Sequence, residues 1–184
     1  MTFLIIALTW YGTWRFFRIR PEDQNRFLFF PYHFSRGLNT ISIVTSVLIH
    51  SDWRHFFFNM IGFYFFGPFL EYEIGPLKLI LLYFGSAIVG SLAIVSLHRN
   101  NSRYRALGAS GAVYGVVFAF IAMHPLLDLQ FIFLPIKIPA VVMGLIYLMM
   151  SIMMFKRGQD NIAHEAHIGG AVGGIIFGLL IRLF

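Results

Sequence analysis

The chain is predicted to be an all-α membrane protein, one bundle of six transmembrane helices, and three observations predict it. Hydrophobic residues make up 58% of the 184 and the mean hydropathy is +0.75, against roughly half apolar in an ordinary soluble domain. Charged residues are only 12% and fall in clusters between long apolar stretches, as expected when a hydrocarbon layer excludes them. At about 20 residues per span, six spans use most of the length and leave short loops plus one longer connection.

The elements follow in order, as a single domain over residues 1–184. The first span, 2–17, is short. It lacks the basic start and the small-x-small cleavage site of a signal peptide, is rich in Trp and Tyr, and lets Arg15 and Arg18 snorkel toward the interface. Residues 18–51 mix charges, an aromatic knot (Phe27, Phe29, Phe30, Tyr32) and an apolar run from Ile41 to Ile49, which suits a loop lying in the interface. Spans two and three are expected at 53–70 and 77–97, with Gly67-Pro68 and Gly75-Pro76 punctuating the turn between them. A polar loop from His98 to Arg105 leads to span four, 108–123, which His124-Pro125 ends. Span five covers 138–155. After a loop at 156–162, expected to act as a lid, span six runs over 164–184.

Composition also narrows the function. With no cysteine there is no disulfide, no thiolate nucleophile and no Cys-based metal site. The net charge of +6 and pI near 9.9 sit in the loops of an apolar chain, which points to anionic lipid headgroups and not to nucleic acid.

The candidate chemistry lies at the starts of two spans. Gly108-Ala109-Ser110-Gly111 opens span four, followed by Tyr114 and Gly115. A serine there sits beside unpaired backbone N–H groups and the positive end of the helix dipole, which stabilise an oxyanion formed when its hydroxyl attacks a carbonyl. Taken alone the cluster reads more readily as a packing face, because Gly111, Gly115 and Ala119 recur at spacing four, the commoner use of such a pattern in membrane bundles. Span six carries His167 ahead of Gly170, Gly174 and Gly178. An ionisable residue in a span is costly and is by default a functional candidate. Two glycine stripes permit the close helix approach that would bring this imidazole, as general base, to the Ser110 hydroxyl.

Span two adds His55 and Asn59, four apart and on one helix face, able to complete an oxyanion hole with the Ser110 backbone N–H or to make an interhelical hydrogen bond. His50, beside Ser51 and Asp52, suits a supporting or helix-capping part better than direct catalysis. Tyr114 could orient His167 by stacking or serve as core packing. Glu165 is turned to a different face from His167 and Asp160 lies in a loop, so a Ser–His dyad is expected in place of a triad. His164-Glu165-Ala166-His167 is one residue short of the zincin spacing, and none of the eight acidic residues lies mid-span as an aspartyl mechanism requires. No cofactor and no metal are expected.

These motifs, in order, resemble the rhomboid family: His50, His55-x-x-x-Asn59, Gly67, Glu71 and Gly75, Gly-Ala-Ser-Gly at 108–111, Pro135-x-x-x-Pro139, and Ala-His-x-Gly-Gly at 166–170. The resemblance implies a six-helix intramembrane serine protease of the compact bacterial type. Ser110 would be the nucleophile and His167 the base, with His55, Asn59 and the Ser110 backbone holding the oxyanion. Gly108 and Gly111 would support the serine, Gly170 and Gly174 would seat span six, and Glu71 would be structural. It implies transmembrane protein substrates entering laterally beside spans two and five, and a bacterial inner membrane as the home. The sequence departs in lacking a Trp-Arg pair in the first loop and in showing no soluble N-terminal domain. The family orientation, mouth outward, leaves only Lys78, Lys137 and Arg182 of the 14 basic residues inside, against the positive-inside tendency. A non-proteolytic rhomboid-like protein that binds membrane clients is the alternative, and a small transporter a weaker one.

Overall fold

The structure, a computed structural model, describes residues 1–130, 136–158 and 162–183. Six long helices lie among the described residues: α1 (Thr2–Phe16), α2 (Trp53–Ile74), α3 (Pro76–His98), α4 (Ser110–Met123), α5 (Ala140–Arg157) and α6 (His164–Leu183). Among the described residues, α3, α5 and α6 are each long and apolar enough to cross a membrane, and α4 is a shorter apolar helix.

Helix ends follow local chemistry, with two departures from expectation. Gly75, at φ +82°, stops α2, and Pro76 starts α3 at the position where a missing N–H costs nothing. Gly67-Pro68, expected to share in that turn, lies inside α2. Gly67 is small because α1 crosses there: a Cβ would lie 2.8 Å from the Thr2 methyl. The second departure is a small antiparallel ladder, Asp128–Gln130 (β1) with Lys137–Pro139 (β2), in a chain expected to be all helix. It takes up Lys137–Pro139, so α5 begins at Ala140 and not at 138.

The 18–51 connection folds into short turns, Pro21–Gln24, Pro31–Phe34 and Ser42–Thr45 among them. Its end packs inward: Ser42, Ser46, Val47, Ile49 and His50 are buried. Burying this polar backbone is possible because it finds partners, such as the Ser46 carbonyl, which accepts from the Gly108 N–H at 2.9 Å.

α4 is the central helix, buried at every residue from Gly111 to Ile121 except Tyr114. Its tightest neighbour is α6, and the seam is backbone against backbone. A Cβ on Gly170 would strike the Gly111 carbonyl, one on Gly174 that of Gly115, and one on Gly178 would lie 2.9 Å from that of Ala119. Steps of four on one helix match steps of four on the other in the same direction, so α4 and α6 are parallel and start at the same end.

Depth follows from length. The far end of α4 is level with the far end of α2, where His124 and Glu73 pair at 2.8 Å, and a Cβ on Gly62 of α2 would touch Val113 of α4 at 3.2 Å. Counting back from these two contacts, α4 begins near the level of Asn59, six residues into α2, or about 9 Å below its start at 1.5 Å per residue. Ser110 is recessed.

Candidate active site

Ser110 is the first residue of α4, and the loop before it is bent and pinned. Gly108 has φ +114°, and a Cβ there would lie 2.6 Å from Cε1 of His55, so only glycine lets this imidazole lie against the turn. Ala109 donates its N–H to Nε2 of His50 at 3.3 Å, and Nδ1 of His50 lies 3.2 Å from Oγ1 of Thr13 on α1. Because Nε2 accepts an amide proton, the ring proton sits on Nδ1 and is given to Thr13. His50 is fully buried, and burial, reinforced by His55, holds its pKa down to about 3. It stays neutral and supports the serine's lead-in. The α2 cap falls to Asp52, whose carboxylate accepts from the His55 N–H at 2.9 Å. That bond, with Ser51, holds the Asp52 carboxyl below the usual range.

His167, buried in the first turn of α6, faces α4 at Tyr114: the rings stack at 4.2 Å and 14°. Tyr114 is four residues after Ser110 and shares its helix face. Ser110 and the tyrosine that stacks on His167 therefore lie along one side of α4. Tyr114 is itself held from α5, by stacking with Tyr147 at 4.8 Å and 6° and by a 3.0 Å hydrogen bond to Ser151 Oγ.

A cavity of about 30 Å³ adjoins Ser110, lined among others by Ser46, Ser91, Gly111 and Ala166. It has room for a water, which needs about 10–15 Å³ and polar partners. His55 and Asn59 sit on one face as expected. The Asn59 amide donates to the His55 carbonyl at 3.0 Å and keeps a second amide proton to give, while Ser51 Oγ, whose own proton goes to Asp52 at 2.9 Å, accepts from His55 Nδ1 at 3.3 Å, which leaves Nε2 of the neutral ring as an acceptor. Glu71 holds α1, accepting from the Thr2 N–H and hydroxyl at 2.7 and 2.8 Å. Pro135, Asp160 and the middle of the expected lid, 159–161, lie outside the described residues.

Comparison with known proteins decides the lineage. A family model described as the Rhomboid domain matches residues 38–184. The chain belongs to the rhomboid family. With its long apolar helices it is a multi-pass membrane protein. It is similar to the RHOMBOID-like protein 12, mitochondrial, of Arabidopsis thaliana, at 34% identity over 92% of this chain and 54% of that protein. It is also similar to the Rhomboid protease GlpG of Haemophilus influenzae, at 27% over 86% of this chain and 79% of that one. A third similarity, 34% over 44% of this chain and 22% of the other, is to the Inactive RHOMBOID-like protein 8 of Arabidopsis thaliana. The chain spans about half the length of the mitochondrial rhomboids it matches.

Sequence reasoning missed three supports of this rhomboid site: Thr13 under His50, Ser46 under Gly108, and Tyr147 with Ser151 behind Tyr114. One signal was available. Thr2, Ile5, Thr9, Thr13 and Phe16, all buried, mark one face of α1, and small polar residues at helical spacing in a span read as an interhelical face.

Proposed function

We propose that this rhomboid is an intramembrane serine endopeptidase acting through Ser110 and His167 on transmembrane protein substrates. The observation that carries the reading is the Tyr114–His167 stack on the same α4 face as Ser110, at the recessed start of two parallel helices. The six long helices would be the six spans of a compact rhomboid core.

The chemistry needs no other group. Ser110 Oγ attacks the scissile carbonyl carbon while its proton passes to His167. The carbonyl oxygen takes the negative charge, and the Ser110 N–H and Asn59 donate to it, joined by His55 once its ring proton is carried on Nε2. As the C–N bond breaks, His167 returns the proton to the leaving amine, leaving an acyl ester on Ser110. A water, deprotonated by His167, then hydrolyses that ester and restores the hydroxyl. Gly108 and His50 fix the lead-in to the nucleophile, Gly111, Gly170 and Gly174 set the helix spacing, and Tyr114 orients the base.

The substrate is taken to be a transmembrane helix that reaches the pocket from the bilayer beside α2 and α5. The proposed home is a bacterial inner membrane, by resemblance to compact family members; relatives named as mitochondrial stand beside bacterial ones.

The test is incubation of the purified chain with a type I membrane substrate, beside Ser110→Ala and His167→Ala. Each variant is expected to lose cleavage by a factor of about 10³ or more while keeping its helical content. The similarity to a rhomboid named inactive motivates the second reading, a client-binding protein. Failure of a fluorophosphonate probe to label Ser110, with substrate still captured, would select it.

A further inference from the structure

Glu165 is the buried carboxylate that the mechanism above does not use. It stands in the first turn of α6, two residues before His167, with its side chain 7% exposed. Tyr104 donates its hydroxyl to Oε1, and His98 Nε2 lies 3.0 Å from the same oxygen. The His98 and Tyr104 rings stack at 3.8 Å and 12°. Burial first, and then this carboxylate, push the Tyr104 hydroxyl far above the ordinary phenol range, so it remains the donor.

Three segments meet at this oxygen: the last residue of α3, the loop that leads into Ser110, and the turn that carries His167. A buried carboxylate is tolerable only while its hydrogen bonds are made, so the cluster holds the three segments in one arrangement. Close backbone contact supports the same joint, since a Cβ on Gly90 of α3 would lie 2.7 Å from the Ala166 carbonyl. On its outer side lies a cavity of about 230 Å³ that Met154 and Phe155 help to line. Truncation of Glu165 therefore leaves space that no neighbour already fills.

We infer that Glu165, held by Tyr104 and His98, is a positioning residue that sets the separation of Ser110 and His167 by tying the serine's loop to the histidine's turn. The inference rests on the serine-protease reading. Glu165 acts through the backbone: two residues from His167, its carboxylate leaves the helix on another side, toward α3.

The experiment compares wild type with Glu165→Gln, Glu165→Ala and Tyr104→Phe, measuring kcat, KM, the rate of fluorophosphonate labelling at Ser110 and the melting midpoint. Glu165→Ala is expected to lower kcat by about 10- to 100-fold, the scale of an ångström of misplacement, with KM and melting nearly unchanged and labelling slowed in parallel. Tyr104→Phe, which loses one hydroxyl, is expected to lose about tenfold. Glu165→Gln keeps an oxygen for Tyr104 and should stay within about threefold of wild type. Wild-type kcat in Glu165→Ala overturns the inference. So does a Glu165→Gln loss as deep as that of Glu165→Ala, or a kcat loss that disappears well below each variant's melting midpoint. An inert, unlabelled wild type instead overturns the protease reading itself, and with it this one.

Discussion

At the scale of single residues, the neutral ring of His50 is the most exacting requirement. His50→Leu would leave the buried Ala109 N–H without its acceptor, and the expected cost is about 1–3 kcal/mol, read from a melt in detergent. The pH dependence has a definite sign. In the unfolded chain an imidazole takes its proton near 6.5, whereas the folded His50 does so only near its lowered value of about 3. Between those values the unfolded state binds more protons, so this group's stabilisation is complete above pH 6.5 and declines as pH falls toward 3. His50→Gln should flatten that slope. Gly108→Ala, at φ +114° with His55 against it, is expected to abolish Ser110 labelling even where the helices survive. Ser110, His167, His55 and Asn59 could be singled out as candidates because each stands in a motif near the start of an apolar span. Thr13, Ser46 and Ser151 could not, because a hydroxyl announces nothing until the backbone it serves is in place.

Among the elements, the α4–α6 seam depends on the absence of side chains. Gly170→Ala or Gly174→Ala would drive a methyl into a facing carbonyl and is expected to cost about 1–3 kcal/mol as overpacking. Val172→Ala, on the exposed side of α6, should change stability by less than about 0.5 kcal/mol. Thermal midpoints of the three variants test the contrast. Apolar run length and the Gly-Pro and His-Pro breaks located the six helices to within a few residues. The same rules failed at Gly67-Pro68, where packing of α1 against Gly67 carries the helix through a proline, and at β1–β2, three-residue strands too brief to have a periodicity.

For the molecule as a whole, charge and chemistry share an end. Arg15 lies in the last turn of α1 and Arg18 just beyond it, Arg54 is in the first turn of α2, and Arg99, Arg103 and Arg105 occupy the loop before Ser110, all exposed. Lys78 lies at the opposite end, at the start of α3. The absence of cysteine makes sidedness measurable through two exposed positions, Ser102 in the loop before Ser110 and Tyr72 near the end of α2. Ser102→Cys and Tyr72→Cys are expected to react with an impermeant maleimide from opposite faces of a sealed vesicle, Ser102→Cys from the face that carries the more basic loops. The sequence carried this asymmetry in full, but it could not reveal that the long first connection sinks inward, since that depends on partners supplied by α1 and the Ser110 loop. The glycine seam has a mechanical corollary. Where two helices meet main chain to main chain, as at Gly111–Gly170 and Gly115–Gly174, there are no rotamers to rearrange at the contact, so the pair is expected to move as one strut. Whatever admits a bulky guest must be borne by the sparsely buried α5, whose amides should exchange with deuterium sooner than those of α4 and α6.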